Sequence, residues 1–226
     1  MALGIILVIV FLAAAIGPQL WVKQALARHK DERPDMPGTG AELARHLADH
    51  YGLPITVERT DHGDHYDPTE KVVRLTPDIH DGRSIAAVAV AAHEVGHALQ
   101  DHLNDGGLSW RNRLVGIAQV TDKFAGVFFL ASPFFGLIAR TPAAFFGLVA
   151  LGILFLGMRV LVHLVTLPVE FDASFNKALP ILAEGGYLPE EDIPGAREVL
   201  KAAALTYVSA ALMGLVNLAR WVRILF

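Results

Sequence analysis

Four stretches of this chain contain no Asp, Glu, Lys or Arg, and they constrain its fold more than any other feature. They are Met1–Val22, Phe124–Ala139, Thr141–Met158 and Ala202–Ala219, and together they hold 74 of the 226 residues. A bilayer core about 30 Å thick takes roughly 17–25 apolar residues per helix. Three of the runs reach that length and the second, at 16 residues, nearly does. The chain is 53% hydrophobic and 19% charged, against about 45–50% and about 25% for ordinary soluble domains. An intrinsically disordered chain is excluded by that apolar content. The absence of cysteine excludes a disulfide framework, thiolate metal sites and a cysteine nucleophile. A net charge of −4 carries no nucleic-acid footprint.

The first run has no Lys or Arg ahead of it and exceeds the usual apolar length of a cleaved leader, so it reads as a signal anchor. Lys23, Arg28, Lys30 and Arg33 follow it closely, and the positive-inside rule places residue 23 onward in the cytoplasm. The second and third runs are separated by Arg140 alone, beside Pro142, which predicts a tight hairpin of two spans. The second is short for a span unless its helix begins near Leu114 and carries Asp122 and Lys123 inward. The fourth run is diluted by Thr206, Tyr207, Ser209 and Asn217 and ends at Arg220 and Arg223, so it either spans or lies in the interface. The expected fold is mainly α, with three to four transmembrane helices and a small β-hairpin or sheet.

The polar segment 23–112 is long enough for a small domain. Arg33–Gly38 reads as a linker, and Thr39-Gly40-Ala41-Glu42 matches a capping box. The helix it opens should stop at Gly52 and Pro54. Ile55–Arg59 and Val72–Leu75 have strand character and are joined by a polar loop, which suggests a hairpin with a long loop or two strands of a small sheet. The second of these strands could pair with an extended substrate through its edge. Ser84 can cap a helix over Ser84–Leu103. The Ile85–Ala92 run is apolar on all sides, so this helix should be buried, yet it is too short to cross a membrane.

On that helix stands His93-Glu94-Val95-Gly96-His97. Histidines at i and i+4 project from one helix face, one turn apart, and both imidazoles can reach one zinc at about 2.0–2.1 Å. Glu94 points to the neighbouring side, where it can take a proton from a water whose pKa the metal lowers to about 7. With 10 His and 10 Glu in the chain, roughly 0.02 chance matches are expected. The alternative is a helix whose His and Glu merely hydrogen-bond in the core, but burying three such groups without a partner is costly. A catalytic zinc has three protein ligands plus water. Leu103 stands where a third histidine six residues on would lie, so the remaining ligand comes from elsewhere, most simply a carboxylate. Glu170, Asp172, Glu184, Glu190, Glu191, Asp192 and Glu198 are the downstream candidates. Topology favours Glu170, at the point where the hairpin returns the chain to the cytoplasm, although an interfacial solvated carboxylate would sit there equally well. Glu190, Glu191 and Asp192 read as a solvated cluster at a helix start. His163 lies two turns before Glu170, about 10 Å away on a straight helix, too far to share one ion with it.

Gly38–Glu42, Asp64-His65-Tyr66-Asp67-Pro68, Ala91–Gln100 and Leu167–Ser174 together resemble the bacterial membrane neutral zinc metallopeptidases (YugP-like) across essentially the whole chain. The resemblance implies a membrane-anchored gluzincin holding one zinc on His93, His97 and Glu170, with Glu94 as base. It implies a protein or peptide substrate, and a multi-pass protein of the bacterial inner membrane with its site facing the cytoplasm. The broader HtpX-like proteases carry an Asp four residues after this Glu, which orients a zinc histidine. Here that position is Ser174, leaving Asp172 or Asp101 as alternatives. Tyr66 or His65 could face the oxyanion, or the loop could be simple turn chemistry. The expected division is an anchor at 1–22, a cytoplasmic zincin-like domain at 23–112 and a transmembrane hairpin at 113–167. A cytoplasmic helical segment with the third ligand follows at 168–201, then a C-terminal membrane or interfacial helix at 202–226. Two other functions compete with the endopeptidase. One is an intramembrane protease of the site-2 type, which the absent Leu-Asp-Gly motif disfavours. The other is a non-catalytic, metal-stabilised membrane adaptor. A homo-oligomer or a regulatory membrane partner could cover the exposed parts of the zinc helix.

Overall fold

The computed structural model describes residues 2–138 and 142–225, with parts of the long helices described by backbone alone. Helix α1, Ala2–Arg28, continues without a break from the first apolar run into the basic segment. Helix α2, Gly40–His50, begins at the predicted capping box. The Glu42 N–H donates to Thr39 Oγ1 at 3.2 Å, and the Thr39 N–H donates to Glu42 Oε2 at 2.7 Å. It ends at Tyr51, followed by Gly52 with φ of +62°, a left-handed conformation that glycine adopts without strain.

Three short strands follow: β1 (Thr56–Arg59), β2 (His65–Asp67) and β3 (Val72–Leu75). The sheet order is β1-β3-β2, with β1 parallel to β3 and β2 antiparallel to it. The first and last strands therefore do not form a hairpin, because a parallel pair cannot close through a tight turn. The intervening polar loop supplies the third strand. Since β3 is paired on both sides, its edge is closed, which corrects the expectation that it pairs with substrate. The free edges belong to β1 and β2.

After the short helix α3 (Pro77–His80), helix α4 spans Ile85–His102. Ser84 accepts a hydrogen bond from the Ala87 N–H at 3.1 Å, the cap expected of it. As the all-round apolar pattern required, Ala86–Ala89 and Ala91–Ala98 are buried. The helix packs against α2 and the sheet and, among later segments, most closely against three. These are a π-helical stretch at Asp172–Ala178, helix α7 (Leu179–Glu184) and helix α8 (Ile193–Leu225).

Helices α5 (Gly106–Ile138) and α6 (Pro142–Phe171) lie against one another, and α8 packs on both α1 and α6. Arg140 of the expected hairpin turn lies outside the described residues. Helices α5 and α8 begin at Gly106 and Ile193, so each runs through an expected boundary, 112/113 and 201/202. Among the described residues one stretch, Ile193–Leu215, is long and apolar enough to cross a membrane. It begins nine residues before the fourth uncharged run, because Arg197, Glu198 and Lys201 are too few charges to interrupt it.

Polar contacts tie α1 to α8. Glu198 receives the Arg28 guanidinium at 2.7 Å, the Trp21 indole N–H at 3.3 Å and a His29 ring nitrogen at 3.0 Å. Asp192, expected in a solvated cluster, is instead buried and paired with Arg33 at 3.1 Å. The chain between α7 and α8 folds back onto the linker that precedes α2, which local sequence does not reveal.

Candidate metal centre

Helix α4 carries His93, Glu94 and His97 into the interior, and the end of α6 brings Glu170 to meet them. All four residues are buried, Glu170 with only 2% of its surface exposed. Glu170 Oε2 stands 3.2 Å from His93 Nε2 and 3.4 Å from His97 Nε2. One ligand atom from each of the three residues lies within 4.8 Å of the others. Ligands bound to one zinc at about 2.0–2.2 Å in a tetrahedron stand about 3.3–3.6 Å apart. The observed separations are of that size, and two imidazoles with a carboxylate form a donor set that zinc favours.

Two features of the chain make this approach possible. Gly96 lies under the π-helical stretch, where a Cβ would come within 2.9 Å of the Ala173 carbonyl oxygen. Only a residue without a side chain lets α4 and this segment lie so close. The π turn itself, closed by the Leu179 N–H to the Ser174 carbonyl, follows directly on Glu170, and such turns recur at functional sites.

The far ring nitrogens are also held. Ser174 Oγ lies 3.1 Å from His93 Nδ1, and Gln100 Oε1 lies 2.9 Å from His97 Nδ1. The Gln100 amide donates to the Val169 carbonyl at 2.9 Å and to Asp172 Oδ2 at 2.8 Å. Both of those partners only accept, so the amide orientation is determined. Gln100 Oε1 then accepts the Nδ1 proton of His97, leaving Nε2 with its lone pair toward Glu170. Ser174 thus occupies the role that was in doubt from sequence. Asp172 acts on His97 only through Gln100. Asp101 is engaged elsewhere, accepting from the Tyr66 hydroxyl at 2.6 Å and pairing with Lys71.

Tyr66 and His65 each have a hydrogen-bond partner outside the three-ligand cluster. Tyr66 fastens β2 to the zinc helix, and His65 Nδ1 bonds the Gly63 carbonyl at 2.9 Å. Asp64 of the same loop accepts from the Thr76 N–H at 2.6 Å, and its charge bears on Glu94. Burial pushes Glu94 up to about 7; the Glu170 and Asp64 charges add to that rise, while His93 and Arg111 oppose it. A carboxyl tuned there can exchange a proton at neutral pH. His163 is not part of the cluster. Gln100, Arg111 and Tyr207 were missed as site residues in the sequence. The one usable signal was Gln100, three residues after His97 and so on the same helix face.

A buried two-histidine, one-glutamate cluster with a second buried glutamate beside it, on a mainly helical fold with a small mixed sheet, defines a zinc peptidase site of the gluzincin type. Residues 4–226 match the family described as "Putative neutral zinc metallopeptidase". The chain is 38% identical over 218 residues to the "Putative membrane protease YugP" of Bacillus subtilis (strain 168), covering 93% of each chain. It belongs to this family of bacterial neutral zinc metallopeptidases. No solved structure matches it.

Proposed function

We propose that the protein is a membrane-anchored zinc endopeptidase that cleaves protein or peptide substrates at the cytoplasmic face of the bacterial inner membrane. His93, His97 and Glu170 hold the metal in this reading, and Glu94 is the general base. The observation that carries it is the convergence of His93 and His97 on one buried Glu170 oxygen, with the tuned Glu94 one residue from His93. When bound, zinc would acidify a water and polarise the scissile carbonyl. Glu94 takes the proton as the water attacks and returns it to the departing amine. Gln100 and Ser174 keep both imidazoles in register. The outer edge of β2, a strand that packs on α4, supports docking of an extended peptide.

Three to four spans are part of the same reading. Helices α1, α5 and α6 expose Ile9, Val10, Leu20, Ile117, Val120, Phe124, Leu154 and Leu164. Large apolar side chains exposed on three long helices fit a lipid surrounding better than water. The basic residues after the first run support the cytoplasmic placement of 23–112, and hairpin return through 113–167 puts 168–201 on the same side. A homo-oligomer or regulatory partner is compatible with these exposed faces.

The test is zinc content and peptide cleavage in detergent-purified protein. Wild type and Glu94→Gln should each hold one zinc, with cleavage lost in the variant, and Glu170→Ala should lose the metal. Full zinc in Glu170→Ala, or full activity in Glu94→Gln, would remove the corresponding assignment.

A further inference from the structure

Arg111, on the first turns of α5, reaches into the metal centre from a helix that contributes no ligand. Its Nη2 stands 3.5 Å from Glu170 Oε1, longer than a good hydrogen bond. Its Nε is buried and donates to nothing, and Glu170 Oε1 is buried and accepts nothing. Were this guanidinium a simple counter-ion for Glu170, the two groups would close into the bidentate fork that arginine and carboxylate favour. Instead one donor edge is withheld. Leaving a buried donor unmade is unfavourable by about 1–3 kcal/mol, so the arrangement makes physical sense when an acceptor arrives from outside.

The movement of charge during the reaction points to that acceptor. With neutral histidines, Glu170 and Glu94 ionised and Arg111 cationic, the centre carries one negative charge in excess. A bound divalent ion turns this into one positive charge in excess. Uptake of the water proton by Glu94 leaves that total unchanged but moves a negative charge from Glu94 to the attacked carbonyl oxygen, and Arg111 is a cation placed to meet it there. The Arg111 charge bears on Glu94 as well as on Glu170, so the guanidinium belongs to the charged cluster that an attacked carbonyl would enter.

We propose that Arg111 is a substrate-binding residue, whose unpartnered Nε–H receives the scissile peptide carbonyl oxygen and stabilises the negative charge that develops on it. This rests on the peptidase reading and adds to it a residue supplied by a long apolar helix. The step is the ordinary one: water oxygen bonds to the carbonyl carbon, the carbonyl π electrons move onto the oxygen facing Arg111, and Glu94 takes the water proton.

The experiment uses full-length Arg111→Met and Arg111→Lys in detergent, with zinc per chain, kcat/KM on a fluorogenic peptide, and affinity for a phosphonate peptide that mimics the anionic tetrahedral centre. Both variants should keep one zinc per chain. Arg111→Met should lose about 10²–10³-fold in kcat/KM, as for removal of an oxyanion donor, and should bind the phosphonate more weakly by a similar factor. Arg111→Lys, which keeps the charge without the fork, should recover part of both. Loss of zinc and activity in proportion would overturn the proposal in favour of simple support for Glu170. Unchanged phosphonate affinity with zinc retained would also overturn it. Wild-type protein with neither zinc nor cleavage would instead remove the peptidase reading itself.

Discussion

Replacing Gln100 by Glu tests how the zinc histidines are held. A carboxylate behind a metal-binding histidine is a common arrangement, so the substitution looks conservative or even favourable. The structure says otherwise. Gln100 is fully buried and uses its NH₂ group to donate to the Val169 carbonyl and to Asp172 Oδ2 at 2.8 Å. A carboxylate there would face two acceptors with no proton to offer. Two unit charges at that distance repel by about 6 kcal/mol at an effective dielectric of about 20. Lys177, already paired with Asp172, offsets part of this. If half remains, the introduced carboxyl is lifted by about two units above the ordinary glutamate value of about 4.3. The folded state then binds more protons than the unfolded state between those two values, so stability falls as pH rises through that window. The deficit against wild type should grow by about 3 kcal/mol from pH 4 to pH 7, roughly 6–12 °C in Tm for a chain of this size. Zinc affinity should fall about 10–100-fold at pH 7, because His97 loses its fixed partner. Thermal melts of the metal-free protein across pH, and competition with a chelator, read the two effects separately. A Gln100→Glu protein that binds zinc as tightly as wild type, with a Tm deficit independent of pH, would refute the reasoning.

Tyr66→Phe should lower stability by about 1 kcal/mol through loss of the bond to Asp101 while leaving kcat/KM within a few-fold of wild type; a loss of 10²-fold or more would restore Tyr66 as an oxyanion donor. Burial places Glu94 at about 7, and a bound cation pulls it lower, so kcat/KM should rise with pH through a limb at or below about 7. A profile measured from pH 5 to 9 that falls over the acid range would exclude an ionised Glu94 as the base.

The local features were legible because local rules govern them. The capping box at Thr39, the Ser84 cap and the stop at Gly52 depend on residues within four positions of one another. Strand pairing was not legible: the tripeptide His65–Asp67 is too short for its alternation, with Tyr66 alone buried between half-exposed neighbours, to stand out from a polar loop. Nothing in its sequence states that it would close the edge of β3. Asp192 was misread for a related reason. Its partner, Arg33, lies 159 residues away, and a charge beside other charges looks solvated until the chain folds back on itself.

The same division runs through the site. Sequence by itself determined the pair His93 and His97 and the carboxylate beside them, because a helix of any origin sets residues i and i+4 on one face. It also narrowed the third ligand to a few carboxylates and, with the family resemblance, to Glu170. Only the tertiary structure decided how those groups are held: Ser174 meets His93 from 81 residues along the chain, Gln100 bridges α4 to the end of α6, and Arg111 enters from α5. Such contacts depend on how closely α4 and the π-helical stretch approach, a distance set by Gly96 and by packing between helices rather than by any pattern along one of them.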